Sequence, residues 1–100
     1  MVITVFRSRL RPESVEAYAD WAARMGKLAQ SMPGYLSHKV FIAEDGERVT
    51  LVEFESEQAQ KVWSTHPEHL KAKGKGRESF YAEYSLQVCN VIREARFAAG

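Results

Sequence analysis

The sequence predicts an α+β fold of the ferredoxin-like type, a four-stranded antiparallel sheet with its helices on one face. Three observations carry that expectation. Along the chain the hydrophobic pattern reads strand, helix, strand, strand, helix, strand, with no repeat, linker or low-complexity stretch dividing it. Asp45-Gly46 sits between two strand-like runs as a hairpin signal. The opening strand carries apolar residues on both parities, so both of its faces must be covered. Helices on one face leave the other as a large apolar patch, and a second copy of the chain stacked sheet to sheet is the simplest cover. A homodimer is therefore expected.

Taken in order, Val2–Leu10 opens with Val2, Ile3, Thr4, Val5 and Phe6, the β-branched and aromatic residues that favour strands. Arg11-Pro12-Glu13-Ser14 is a break followed by a helix start, with Pro12 and acidic Glu13 and Glu16 in the first turn. Val15, Tyr18, Ala22, Met25, Ala29 and Met32 then recur at steps of three or four, a stripe that Trp21 and Leu28 widen. Met32-Pro33-Gly34 ends the helix, since Pro33 cannot continue it and Gly34 can take a positive φ. Tyr35–Ala43 and Glu47–Glu55 read as the hairpin strands. A two-residue Asp45-Gly46 turn sets Ile42 opposite Val49, Val40 opposite Leu51 and His38 opposite Glu53. Ser56 is an N-cap for a second helix with Ala59, Val62 and Trp63 as its apolar side. Pro67 interrupts it and places His66 at the break. Helix resumes with Leu70, Gly74, Arg77 and Tyr81 along one line, weakened by Gly74 and Gly76. Tyr84–Arg93 alternates as the last strand. Residues 1–93 form one domain and 94–100 a short tail.

Composition excludes several classes of function. The chain has 100 residues with 45% hydrophobic content, and its 14 basic and 13 acidic residues leave a net charge of +1. Such a balance gives no field for nucleic acid or an anionic membrane. Cys89 is the single cysteine, so no intrachain disulfide forms and a reducing cytoplasm is the expected location. No segment is long and apolar enough to span a bilayer, and the N-terminus lacks the features of a signal peptide.

Most side chains suited to chemistry fall in one stretch, Trp63–Val91. Trp63 can stack on a flat ligand or simply fill the core. His66 and His69 can move a proton to or from a phenol or hydroquinone; His66, at a helix N-terminus, is held toward its neutral form by the helix dipole, and its plainer role is a cap. As metal ligands the two are badly spaced and lack a third partner. His38 opposite Glu53 is a candidate acid–base dyad, or else a buried polar pair or part of the dimer interface. Lys71, Lys73, Lys75 and Arg77 read as a solvated helix face, or else as an entrance that attracts an anionic or quinone-like substrate. The KGKG run lacks the pattern of a phosphate loop. Arg7 needs an anion, a carbonyl or solvent for its guanidinium. Tyr81 and Tyr84 offer phenol hydroxyls to a pocket, and Cys89 among apolar neighbours reads as a buried, inert thiol.

With FRSRL closing the first strand, SMPGYLSHK at the helix-to-strand junction, ERVTLVEFES, and HPEHLKAKGKGRESFYAEYSLQVCNV in that order, the chain resembles the antibiotic biosynthesis monooxygenase (ABM) family of the dimeric α/β-barrel superfamily. The resemblance covers nearly the whole chain. It implies that two four-stranded sheets close a dimeric α/β barrel. It implies a cofactor-independent monooxygenase acting on a small aromatic or quinol, with no metal or organic cofactor and molecular oxygen as co-substrate. Trp63, Phe41, Tyr84 and His38 would then hold the substrate, and His66 and Arg7 would assist deprotonation and stabilise the enolate. The alternative is a non-catalytic dimer that binds a small apolar ligand or serves as an accessory protein. A third reading is heme degradation. That branch of the family carries an asparagine on the first strand and a tryptophan and a histidine on the second helix. Trp63 matches the tryptophan, but Arg7 and Lys73 stand at the other two places, which disfavours it.

Overall fold

The computed structural model describes all 100 residues. Strand β1 (Val2–Leu10) leads through a single 3-10 turn at Pro12–Ser14 into helix α1 (Val15–Gln30). Strands β2 (Tyr35–Ile42) and β3 (Arg48–Phe54) follow as a hairpin, then helices α2 (Glu57–Ser64) and α3 (Pro67–Lys75). A π-helical turn at Gly76–Phe80 delivers the chain to strand β4 (Tyr81–Asn90). All neighbours are antiparallel in the order β2-β3-β1-β4, so the expected ferredoxin-like sheet is formed, with β1 and β3 at its centre.

Local chemistry explains most boundaries. Ser56 Oγ accepts from the Ala59 amide at 3.1 Å, capping α2 as its sequence position predicts. Gly34 takes φ 81° and ends the α1 connection. Pro67 stands at the first turn of α3, and His66 before it is extended at ψ 133°, as a residue preceding proline must be. On α1 the polar positions Glu16, Asp20, Arg24, Lys27 and Gln30 are all exposed, while Tyr18, Trp21, Met25 and Ala29 turn inward. Val15 and Val62, expected on apolar faces, are instead about half exposed, at 52% and 46%. The buried core is small: Ala29, Phe54 and Trp63, with Met25, Leu28, Met32, Tyr35, Val52 and Ala59 packed around them.

The hairpin departs from the expected register by one residue. His38 lies opposite Val52, Val40 opposite Thr50 and Phe41 opposite Val49, with a bulge between Tyr35 and Ser37. The turn is the cause. A two-residue turn of the expected kind needs positive φ at both central residues, and only Gly46 adopts it, at 91°. The loop is Glu44–Gly46, closed by Ala43 N–H donating to Glu47 O at 2.8 Å and Gly46 N–H to Ala43 O at 2.9 Å. Asp45 is held in this form from two sides. Its Oδ1 accepts from the Glu47 amide at 3.0 Å, and Arg9 donates to both its carboxylate and its carbonyl. The slip puts His38 and Glu53 on opposite faces of the sheet, so the dyad is not formed; Glu53 accepts from Ser37 Oγ at 2.9 Å instead.

The last strand also begins earlier than expected, at Tyr81 rather than Tyr84. Residues 91–100 carry no regular structure, and Ile92 and Phe97 are almost fully exposed. The face away from the helices carries Ile3, Val5, Phe41, Val49 and Leu51, with Cys89 beside Ile3. Cys89 is exposed there, contrary to the expectation of a buried thiol, because within one chain nothing covers this face. No helix is long and apolar enough to cross a membrane.

Candidate active site

Between α1, α3 and the helix-facing side of the sheet lies a pocket of about 360 Å³, within the range of small-molecule sites. It exists because the small core closes only one end of the space between helix and sheet. At the other end Phe6, Tyr18, Trp21, Phe80, Tyr81 and Tyr84 meet in edge-to-face and tilted pairs and leave a gap between them. Tyr18 lies 5.7 Å from Phe80 and 5.6 Å from Tyr81, and Phe6 lies 5.4 Å from Tyr81. Rings that meet by their edges leave flat faces open to a planar ligand. Burial pushes the Tyr81 phenol well above its ordinary range, with Tyr18 adding to the effect, so it stays a neutral hydrogen-bonding group.

Polar groups interrupt this apolar wall, among them His38, His69 and Thr4. His38, on β2, shares a 2.6 Å hydrogen bond between its Nδ1 and the Tyr35 hydroxyl. Its Nε2 lies beside Gly26 of α1, where a Cβ would stand 3.4 Å away. His38 and Gly26 both line the pocket. His69 stacks on the Trp63 indole with ring centroids 4.1 Å apart and 13° between planes. Its Nδ1 is 3.1 Å from the Trp63 carbonyl oxygen. A carbonyl can only accept, so Nδ1 carries the proton and Nε2 presents a lone pair. Burial and the Lys73 ammonium lower the His69 pKa from 6.5 to about 4, so the ring is neutral at pH 7. Thr4, on β1, also lines the pocket, and its hydroxyl is buried without any hydrogen-bond partner. Buried hydroxyls are nearly always partnered, which makes Thr4 an exception to be explained.

Of the six residues that the family resemblance assigns to substrate binding and proton transfer, Trp63, Tyr84 and His38 line this pocket together. The other three do not. Phe41 lies on the opposite face of the sheet, where the one-residue slip puts it. Arg7 is on that face too, bridged to Glu47 at 2.9 Å, with Nε donating to the same carboxylate at 3.2 Å; that carboxylate is the anion its guanidinium required. His66 caps α3: its Nδ1 accepts from the Glu68 amide at 3.1 Å, and it is outside the pocket wall. The basic run divides by helix phase. Lys71 pairs with Glu68 at 3.5 Å and Lys75 is exposed, whereas Lys73 and Arg77 line the pocket. His69 and Thr4 line the pocket as well. The signal for His69 was its four-residue spacing to Lys73 and Arg77, which puts all three on one side. Thr4 gave no sequence signal, because a threonine in a strand is ordinary. No three His, Cys, Asp or Glu side chains converge as a metal centre requires.

Comparison with known proteins agrees with this architecture. The profile of the antibiotic biosynthesis monooxygenase family matches residues 1–75. The uncharacterized protein YqjZ of Bacillus subtilis is 34% identical over 93 residues, covering 93% of this chain and 82% of that protein. Rv0793 from Mycobacterium tuberculosis superposes with a TM-score of 0.83 at 21% identity, over 95% of this chain and 98% of its own. SnoaB, a cofactor-independent oxygenase from Streptomyces nogalater, superposes with a TM-score of 0.78 at 16% identity, over 93% and 94% of the two chains. At these identities the two structures speak to the fold.

Proposed function

This chain belongs to the antibiotic biosynthesis monooxygenase family, and on that premise we propose that it is a cofactor-independent monooxygenase of a small aromatic or quinol-like substrate. The observation that carries the reading is the placement of His38, anchored at Nδ1 by Tyr35 with Nε2 beside the pocket. When Nδ1–H donates to the Tyr35 oxygen, Nε2 is free to take a proton from a phenol or from an activated C–H. His38 is thus assigned the proton transfer, a role that neither the His66 cap nor Arg7 on the far face is placed to fill. The substrate carbanion or enolate then gives its electrons to O2. The first oxygen atom bonds to the carbanion carbon as a hydroperoxide. Loss of the second hydrogen of that carbon, or of the quinol hydroxyl hydrogens, then breaks the O–O bond and releases water. In the CH2 case CH2 + O2 becomes C=O + H2O, and the substrate as a whole supplies all four electrons. The protein's part is orientation and exclusion of water, with Trp63 and Tyr84 holding the ring and the neutral His69 Nε2 accepting a substrate hydroxyl. Residues 1–93 form the working domain. Two chains would stack through the face of Ile3, Val5, Phe41, Val49 and Leu51 to close a barrel, and the protein is expected to elute as a dimer at micromolar concentration.

Oxygen uptake with a panel of hydroquinones and anthrones tests the assignment. Turnover is expected with at least one of them, falling about 10²-fold or more in His38→Gln and staying unchanged in His66→Ala. Absence of uptake across the panel, with an active family enzyme run alongside, would sink it.

A further inference from the structure

The charges around the pocket are one-sided. Its wall includes Lys73 and Arg77 together with His38 and His69, and no aspartate or glutamate, although the chain has 13 acidic residues. Lys73 and Arg77 stand four residues apart, so on a helix they point the same way, an arrangement that costs stability through like-charge repulsion. Neither has a carboxylate partner: the ion pairs of this chain engage Arg7, Arg9, Lys71 and Arg96. Lys73 donates one of its three hydrogens to the Ser64 carbonyl at 3.0 Å, which steers the ammonium and leaves two donors free. Arg77 is exposed and stands at the rim, whereas Lys73 is half-buried further in. The positive field is felt inside, since the Lys73 ammonium contributes to keeping His69 neutral. Next to these cations the wall offers open aromatic faces.

We propose that the ligand of this pocket is an aromatic acid, a flat apolar body bearing one carboxylate that Lys73 and Arg77 bind at the rim. The inference deepens the oxygenase reading by naming the class of its substrate, and rests on that reading only for the location of the site. The carboxylate supplies the missing counter-charge, and the two cations hold one end of the ligand so that the other reaches the histidines. A neutral ligand would leave both cations unpaired beside its own desolvated surface, and a cationic ligand would be repelled.

Binding without turnover separates this idea from the oxygenase assignment. Titration calorimetry of the protein compares naphthoate, its methyl ester and naphthylmethylamine, which share one ring system and differ in charge. The acid is expected to bind about tenfold tighter than the ester, the value of a partly desolvated charge-assisted contact, with the amine weakest. Arg77→Gln, at an exposed position that should not disturb folding, weakens the acid more than the ester and so reduces the preference for the acid to about threefold or less. Lys73→Gln does the same, and raised salt narrows the gap in the wild type. Equal binding of acid and ester, preference for the amine, or no binding of the acid would each overturn the proposal. Oxygen uptake with plain hydroquinones but no acid preference would retain the oxygenase assignment and remove this one.

Discussion

Replacing Thr4 by Val tests whether its hydroxyl is unpaired in the free protein. Thr4 is 8% exposed and its Oγ1 has no partner, while its cross-strand neighbours on the same face are Val52 and Val88. A buried hydroxyl without a hydrogen bond costs about 1–3 kcal/mol, and the methyl group that replaces it contributes up to about 0.8 kcal/mol of its own burial. Valine also suits the strand and completes an apolar row across β3, β1 and β4. The variant should therefore be more stable by about 1–2 kcal/mol. For a domain of this size each kcal/mol moves Tm by about 4–8 °C, so a rise of about 4 °C or more is expected by calorimetry or circular dichroism. A Tm equal to or below that of the wild type would mean the hydroxyl is partnered in solution, and the reasoning fails. The same variant, with the pocket's shape kept, reports through any loss of turnover what the hydroxyl does for a ligand.

The pH dependence of stability should show His69. Above its ordinary pKa of about 6.5 the ring is neutral whether the chain is folded or not, and its full contribution is present. As pH falls from there toward about 4, only the unfolded chain takes up the proton, and stability declines by about 3 kcal/mol in all. Urea denaturation between pH 7 and pH 4 measures this, and His69→Gln should flatten that limb; an unchanged slope would show that the ring is not held neutral. Gly76→Ala should cost about 1–3 kcal/mol in the same assay, since its Cβ would lie 2.5 Å from Tyr81 Cε2 in the aromatic cluster. Arg7→Gln, on the far face of the sheet, should leave kcat/KM within about twofold of wild type, and a large loss would return Arg7 to the site.

What could be read from sequence follows how local the cause is. The strand and helix order, the Ser56 cap and the break at His66-Pro67 depend on a few adjacent residues, and they are as expected. The hairpin register depends on whether Asp45 adopts a positive φ, and that is decided by Arg9, which is 36 residues away in the chain. Tyr81 and Tyr84 suit a helix line and a strand alternation equally well; the π-helical turn at Gly76–Phe80 resolves them, and its need for a bare Cα under the Tyr81 ring is a three-dimensional fact. In the site, Trp63, Tyr84 and His38 were legible as residue types, though His38 was paired with the wrong partner. The choice between His66 and His69 was not legible, because a residue that caps a helix and one that faces the sheet look alike until the helix phase is fixed.

The turn at Glu44–Gly46 has an evolutionary consequence. Surface loops are ordinarily where homologous chains gain and lose residues most freely. Here loop length is neutral for register, since removing one loop residue leaves Ala43 opposite Glu47. A glycine at position 45, by contrast, would be free to take the positive φ of a two-residue turn and would lose the Arg9 anchor. That would let β2 slip by one position against β3, replacing His38 and Val40 in the pocket wall by Lys39 and Phe41. A single codon change far from any ligand would thus replace an imidazole by an ammonium inside the site. Residue 45 in this lineage is expected to be held as tightly as the pocket itself, and a relative with glycine there would be expected to handle a different substrate.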